Sequence, residues 1–346
     1  MSCSLRAVLI GSVAVALLPA CAGSGTAPGP TAVTPSLSTG LNARAASGKP
    51  TVYAASLNAA GKPFIAVFGA GGETFSRKIK HGFAVAADSR GNAYIAHTPV
   101  TVYADAGKTL VQKFPVTNGP RELDYGNDIV PDGLGDFYVT CGHHMLCEYQ
   151  IGKNGPIREL PAGFGSLATD KSGDLYQSVN GGEVVEYSPG STSPKRTITS
   201  GIAYPEALAV DHKGNLYVGN LEGGTDFTAD VTVYGPNDNS PRQTISEGVT
   251  NPLMIRVDSD GNVGVLNFTN VTMYAPGSDT PSNVITQGIA NADSLAFDQS
   301  NNLYVANFGA TNNDPGSITV YAAGSYSLTR TITKNIKHSI SVAVGP

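Results

Sequence analysis

The stretch that decides the fold is LAVDHKGNLYV, residues 208–218. A short apolar strand ends at Asp211, a turn containing Gly214 follows, and a second strand begins with Leu216 and Tyr217. Apolar stretches with Gly, Asn and Asp at the corners are typical of antiparallel β-strands joined by tight turns. The same phrase recurs along the chain, with its aspartate at Asp88, Asp132, Asp170, Asp211, Asp258 and Asp298.

The recurrence has the length of one propeller blade. Subtracting the residue numbers of successive aspartates gives spacings of 44, 38, 41, 47 and 40 residues. Each copy continues with a third strand that ends in Tyr, such as Val231–Tyr234, and with a fourth strand, such as Arg196–Thr199. Since a four-stranded blade takes about 40–45 residues, the pattern predicts blades of four antiparallel strands. The Asp in each copy is expected to bind turn amides, which is a folding role.

The two ends of the repeat region supply one more blade. Ile340–Val344 reads as a first strand with nothing after it, whereas Pro50–Tyr53, Phe64–Phe68 and Thr74–Ile79 read as strands two to four. Pairing these pieces closes the ring and removes both exposed edges. The sequence therefore predicts an all-β, seven-bladed β-propeller over residues 50–346, closed by the C-terminal strand. A six-bladed ring, which would leave the terminal pieces unpaired, is the alternative.

The repeated phrase at Leu208–Val218 resembles the repeats of NHL proteins, and the resemblance spans nearly everything from Pro50 onward. It implies the propeller fold but leaves the function open, because propellers of this type serve as enzymes, binders and scaffolds. Virginiamycin B lyases and gluconolactonase-like proteins share related folds.

The N-terminus predicts export. Arg6 precedes twelve uncharged residues, Ala7–Leu18, which are too few for a bilayer span but fit the apolar region of a signal peptide. Leu18–Cys21 then resembles the lipobox of bacterial lipoproteins, which implies a signal peptide over residues 1–20 and lipidation of Cys21. An ordinary secretory signal, with Cys21 as a bystander, is the alternative. Residues 21–49 are small and polar, so they predict a flexible tether to the bacterial cell envelope.

Charge and motifs restrict the function. The net charge is −5 with no basic run, so nucleic acid is excluded as a partner. The chain has no G-x-S-x-G motif, no Glu-His pair and no Gly-rich phosphate loop, so we assign no catalytic residues. We expect a monomer, anchored to the membrane by lipid, whose partner is an envelope protein or a glycan.

Candidate ligand residues cluster at one end of the predicted channel. There, the loops before the first strands supply Asn127, Asp128, Glu206, Asp293 and His338. The ends of the second strands supply one residue per blade, namely Ser56, His97, Cys141, Val179, Asn220, Asn267 and Asn307. Side-chain oxygens are the ligands that Ca²⁺ prefers.

Gluconolactonase-like proteins bind their metal in the channel through Glu, Asn and Asp. The resemblance therefore implies Glu206, Asp293, Asn220, Asn267 and Asn307 as ligand or Ca²⁺ residues. The alternative is that the asparagines cap their strands and bind local backbone.

The most distinctive local segment is CGHHMLC, residues 141–147. In an oxidising compartment, Cys141 and Cys147 on neighbouring strands are expected to form a disulfide. The alternatives are a soft-metal site with His143, His144 and Met145, or two free thiols.

Three functions remain open after these observations. The first is a scaffold that binds a protein or a glycan through its channel-face loops. The second is a divalent-metal-dependent, lactonase-like hydrolase that uses Glu206 and Asp293. The third is a structural spacer.

Overall fold

The computed structural model describes residues 49–58, 60–116, 129–142, 145–163, 165–179, 182–223, 228–311 and 314–346. These residues form seven four-stranded sheets and one 3₁₀ turn. The predicted seven-bladed β-propeller of antiparallel blades is therefore confirmed. The signal peptide, Cys21 and nearly all of the tether lie outside the described residues and stay predictions.

The strands are numbered β1 to β28 in chain order and are given for each blade from the channel outward. Blade one contains β28 (His338–Gly345), β1 (Thr51–Leu57), β2 (Pro63–Gly69) and β3 (Thr74–Lys80), with the 3₁₀ turn Ala70–Gly72 between β2 and β3. Blades two to four contain β4 (Ala84–Ala87), β5 (Ala93–Ala96), β6 (Val100–Ala104) and β7 (Thr109–Phe114); β8 (Ile129–Pro131), β9 (Asp136–Gly142), β10 (Met145–Gln150) and β11 (Arg158–Pro161); and β12 (Leu167–Thr169), β13 (Leu175–Val179), β14 (Glu183–Tyr187) and β15 (Arg196–Ile198).

Blades five to seven complete the ring. They contain β16 (Pro205–Val210), β17 (Leu216–Gly223), β18 (Thr228–Tyr234) and β19 (Gln243–Ile245); β20 (Met254–Val257), β21 (Val263–Asn267), β22 (Asn270–Tyr274) and β23 (Asn283–Ile285); and β24 (Ala292–Phe297), β25 (Leu303–Asn307), β26 (Ser317–Tyr321) and β27 (Leu328–Ile332).

Blade one closes the ring in the predicted way. The C-terminal strand β28 pairs antiparallel with β1, with Val344 opposite Val52 and Ala343 opposite Tyr53. This pairing gives β1 its inner neighbour and leaves no unpaired strand at either end of the repeat region.

The hydrophobic core lies between adjacent blades. Tyr304 and Ile318 of blade seven pack with Val52 and Phe64 of blade one in a single buried cluster. Equivalent clusters join the other blades, because each blade covers the apolar face of its neighbour.

Each repeated aspartate organises the turn that follows it. Asp211 accepts hydrogen bonds through Oδ1 from the backbone N–H groups of Lys213 (2.8 Å) and Asn215 (2.9 Å). Its Oδ2 accepts from the side-chain amide of Asn215 at 2.8 Å and from the hydroxyl of Tyr217 at 3.4 Å. The other repeated aspartates also bind backbone amides of their turns. The repeated Asp therefore has the folding role that the sequence predicts.

Side chains also bind adjacent blades to one another near the channel. An inner strand has an unpaired edge facing the channel, and hydroxyl groups of the preceding blade bind amides on that edge. Leu208 N donates to Ser166 Oγ at 3.2 Å, and Val342 N donates to Ser294 Oγ at 3.2 Å. These contacts satisfy backbone donors that the sheet itself leaves without a partner.

A buried ion pair joins blade three to blade four farther from the channel. Arg158 Nε donates to Glu148 at 2.5 Å, and the two side chains are only 3% and 5% exposed. The same guanidinium donates to the carbonyl oxygens of Ser188 and Ser191 in blade four and to the hydroxyl of Tyr138. Arg158 thus connects three strands of its own blade to the next blade.

Candidate ligand-binding face

Two sets of loops form one end of the channel, which we call the channel mouth. One set connects the second and third strands of each blade, and the other leads into the inner strand. The sets are joined by hydrogen bonds from Leu221 N to Tyr204 O (3.1 Å) and from Phe308 N to Asn291 O (2.9 Å). The opposite end, which carries the repeated aspartate turns, is called the turn end.

Glu206 and Asp293 lie at equivalent positions of the mouth, in blades five and seven. Each is the additional residue of a β-bulge at the start of its inner strand, because the pairing register shifts between Pro205 and Ala207 and between Ala292 and Ser294. A bulge redirects a side chain relative to the regular pleat, and bulges are frequent beside functional sites.

Burial changes the acidity of both carboxyl groups. It raises the pKa of Glu206 above its usual range and raises the pKa of Asp293 to about 7. No described residue donates a hydrogen bond to either carboxylate. Asp293 is therefore partly protonated at neutral pH, so it can both donate and accept hydrogen bonds there.

The three predicted asparagines bind their own surroundings. The Oδ1 atom of Asn267 accepts from the N–H groups of Thr250 (2.9 Å) and Asn251 (3.1 Å). Its Nδ2 donates to Gly248 O and to the side chains of Asn270 and Thr272. Asn220 and Asn307 make corresponding contacts, and all three side chains are buried.

The asparagines therefore tie each inner hairpin to the loop before it, which is the alternative that the sequence left open. The remaining Ca²⁺ hypothesis stays a prediction. Among the described residues, no group of three or more His, Cys, Asp or Glu side chains is arranged to hold a metal ion.

Cys141 and Cys147 form a disulfide between β9 and β10, with their Cα atoms 5.7 Å apart. Both cysteines belong to the hydrophobic core of their blade. His143 and His144, together with Asn127 and Asp128 of the preceding loop, lie outside the described residues.

Two exposed aromatic side chains lie in the loops of the mouth. Tyr204 is 64% exposed, and its backbone is held in a left-handed conformation with φ of 51°. Phe268 is 44% exposed. Beside them, the half-buried ring of Phe308 and the buried ring of His338 stack at 4.4 Å, and Nδ1 of His338 lies 2.9 Å from Phe308 O.

Sequence reasoning missed one residue in the channel itself. Arg256 on β20 lines a cavity of about 350 Å³ that is bounded by the inner strands of all seven blades. Its Nη1 donates to Ile255 O at 2.9 Å, and burial lowers the pKa of Arg256 to about 10, so it carries a charge at neutral pH. Arg256 faces Gly264 across the strand pair, where the corresponding pair in blade five is Ala209 and Tyr217. The sequence signal that could have identified Arg256 is Gly264, which stands where most of the repeats have Tyr.

Comparison with known proteins supports the fold. Residues 196–224 match the family model described as strictosidine synthase-like, N-terminal, which covers the last strand of blade four and the first two strands of blade five. The chain is similar to a crystal structure of a functionally unknown protein from Desulfotomaculum acetoxidans DSM 771. The TM-score is 0.65 with 15% identity, over 86% of this chain and 99% of that chain. No curated protein matches.

The described residues also bear on membrane association. None of the helices in this part of the chain has the length and apolar character needed to cross a membrane.

Proposed function

We propose that this protein is an exported, lipid-anchored β-propeller of NHL-like blades, which binds an envelope protein or a glycan at its channel mouth. The observation that carries this proposal is the pair of half-buried carboxylates, Glu206 and Asp293, at the entrance of a rigid ring. Rigid scaffolds commonly carry their specificity in loops of this kind.

The chemistry of the mouth favours a ligand rich in hydrogen-bond donors. Glu206 and Asp293 provide acceptor oxygens that no described residue already uses. The exposed rings of Tyr204 and Phe268 provide apolar faces nearby in the loop layer. Sugars and peptides both combine polar groups with apolar faces, so this surface suits either class.

The N-terminal sequence supports the cellular location in the proposal. The lipobox-like Leu18–Cys21 and the small, polar residues 21–49 are typical of an anchored lipoprotein with a stalk. Ala22 follows the lipidated cysteine, and we therefore propose the outer membrane as the destination in a host with two membranes. Metabolic labelling with a palmitate analogue tests the lipid anchor, because the label should be lost in Cys21→Ser.

The binding proposal is tested with a panel of soluble oligosaccharides, peptidoglycan fragments and envelope proteins immobilised on an array. The wild-type chain is compared with a Glu206→Gln/Asp293→Asn variant and with Lys213→Ala, an exposed control at the turn end. We expect at least one ligand whose binding is lost in the double variant and retained in the control.

Two outcomes would contradict the proposal. Binding that is unaffected by the double variant would exclude the mouth as the site. Divalent-metal-dependent turnover of lactones that is abolished by Glu206→Ala, with the fold intact, would favour the hydrolase instead.

A further inference from the structure

We propose that His81 and His97 together bind one borderline divalent metal ion, such as Zn²⁺ or Cu²⁺, at the channel mouth. His81 directly follows β3 of blade one, and His97 directly follows β5 of blade two. Their imidazole rings are in edge-to-face contact, with the centroids 4.7 Å apart and an interplanar angle of 76°. This site is distinct from the Glu206 and Asp293 carboxylates and does not depend on the ligand proposed above.

The strongest observation is a ring nitrogen without a partner. His97 occupies the position at which Asn220 accepts a backbone N–H from Ala203 at 3.1 Å. In blade two the connection before the inner strand spans only residues 81–83, and no such N–H reaches the ring. Nδ1 of His97 is buried and has no hydrogen-bond partner among the described residues.

Leaving that nitrogen unsatisfied has an energetic cost. A buried polar atom without a partner costs about 1–3 kcal/mol, and in native proteins such an atom is commonly satisfied by an ordered water or an ion. A second imidazole at the same place favours an ion, since His97 and His81 can then share it.

The spacing of the rings fits a shared ion. Zn–N bonds of about 2.0–2.1 Å place the centroids of two coordinating imidazoles about 4.5–5.2 Å apart, for ligand angles of about 90–110°. The observed separation of 4.7 Å lies in that range. Among the described residues no group of three or more His, Cys, Asp or Glu side chains is arranged to hold a metal ion, so a site at His81 and His97 would have two protein ligands, with water at the other coordination positions.

The protonation state also suits coordination. Burial, together with the neighbouring His81, lowers the pKa of His97, and a backbone contact of its ring with Thr98 opposes part of that shift. A lowered pKa favours the neutral imidazole, which has the lone pair that a metal requires. Imidazole ligands suit Zn²⁺, Cu²⁺ and Ni²⁺, whereas Ca²⁺ takes oxygen ligands. The expected ion consequently differs from the Ca²⁺ considered for the channel.

The test is calorimetric titration of Zn²⁺ into the full chain and into two variants. His81→Asn removes an exposed ligand without disturbing the backbone, because Asn291 adopts the equivalent left-handed conformation, with φ of 49° against 67° for His81. His97→Ala removes the half-buried ligand. The matched control is His212→Ala, which removes an exposed histidine at the turn end.

We expect one zinc site that both variants weaken and the control leaves unchanged. Loss of a residue that merely supports a ligand weakens metal binding about 10–100-fold, so loss of a ligand should weaken it at least about tenfold. Electron paramagnetic resonance of bound Cu²⁺ should show coupling to two nitrogens in the wild type and to one in His81→Asn. If His97→Ala fails to fold, as judged by circular dichroism, the result for His81→Asn decides the question.

The proposal would be overturned by either of two results. One is the absence of zinc binding at millimolar concentration. The other is zinc or copper binding whose affinity and nitrogen coupling are the same in His81→Asn as in the wild type.

Discussion

Replacement of Arg158 by Met should destabilise the propeller strongly, because it leaves the carboxylate of Glu148 buried without its counter-ion. The two side chains are 3% and 5% exposed, and Arg158 also donates to two carbonyl groups of blade four. Removing one partner of a buried ion pair costs about 3–5 kcal/mol. A domain is stable by only about 5–15 kcal/mol, so this loss should be large in any unfolding experiment.

The measurement is equilibrium unfolding in urea, followed by far-ultraviolet circular dichroism because the chain contains no Trp. The control is Arg242→Met, which removes the equivalent charge from an exposed pair with Asp238. Since exposed pairs contribute little, the midpoint of Arg242→Met should stay close to that of the wild type.

A second substitution separates the buried charge from other effects of Arg158. In Arg158→Met/Glu148→Leu both charges are absent, and replacing a buried ion pair by apolar side chains is often close to neutral. The double variant should therefore recover most of the lost stability. Burial already raises the pKa of Glu148. The stability lost in Arg158→Met should therefore be smaller in acid, where Glu148 is protonated and needs no counter-ion. The reasoning is refuted if the double variant is no more stable than Arg158→Met.

Three further predictions concern the mouth and its supports. Burial raises the pKa of Asp293 to about 7, above the value of about 3.9 in an unfolded chain, so the folded state binds more protons between these values. The free energy of unfolding should therefore fall as the pH rises from about 4 to about 7, by at most about 4 kcal/mol. Asp293→Asn should flatten that slope in urea midpoints measured across this range, and an unchanged slope would exclude Asp293 as its source. Reduction of the Cys141–Cys147 disulfide, which closes a loop with a sequence separation of six, should lower the stability by about 2 kcal/mol. The thermal midpoint with and without reductant measures this, with Cys141→Ser/Cys147→Ser as the insensitive control. Asn267→Ala removes hydrogen bonds to two backbone N–H groups and should cost about 2–3 kcal/mol in urea unfolding, whereas a change below about 0.5 kcal/mol would contradict the supporting role of this amide.

The fold could be predicted because the determinants of each blade are local and repeated. An Asp such as Asp211 binds the amides two and four residues later, so the residues that determine the turn are close together in the sequence. Closure of the ring was also predictable, since Ile340–Val344 had the pattern of an inner strand without partners. The pairing between strands at the two ends of the chain could be predicted because each end supplied only part of a blade.

The chemistry of the site was only partly accessible from the sequence. The sequence placed Glu206 and Asp293 in the loops before the inner strands, whereas the structure has them at bulges inside β16 and β24. A bulge depends on a one-residue difference in pairing that the period does not encode. Their raised pKa values arise from burial by residues distant in sequence. The orientation of the Asn267 amide depends likewise on Thr250 and Asn251 in the preceding loop.

The pairing of Thr51 with Gly345 has a consequence for how the propeller is presented. Both residues lie at the turn end, because β1 runs from there toward the mouth and β28 runs back. The segment preceding β1 consequently joins the ring on the side opposite Glu206 and Asp293. A tether attached at that point would leave the carboxylates of the mouth unobstructed at the other end of the ring.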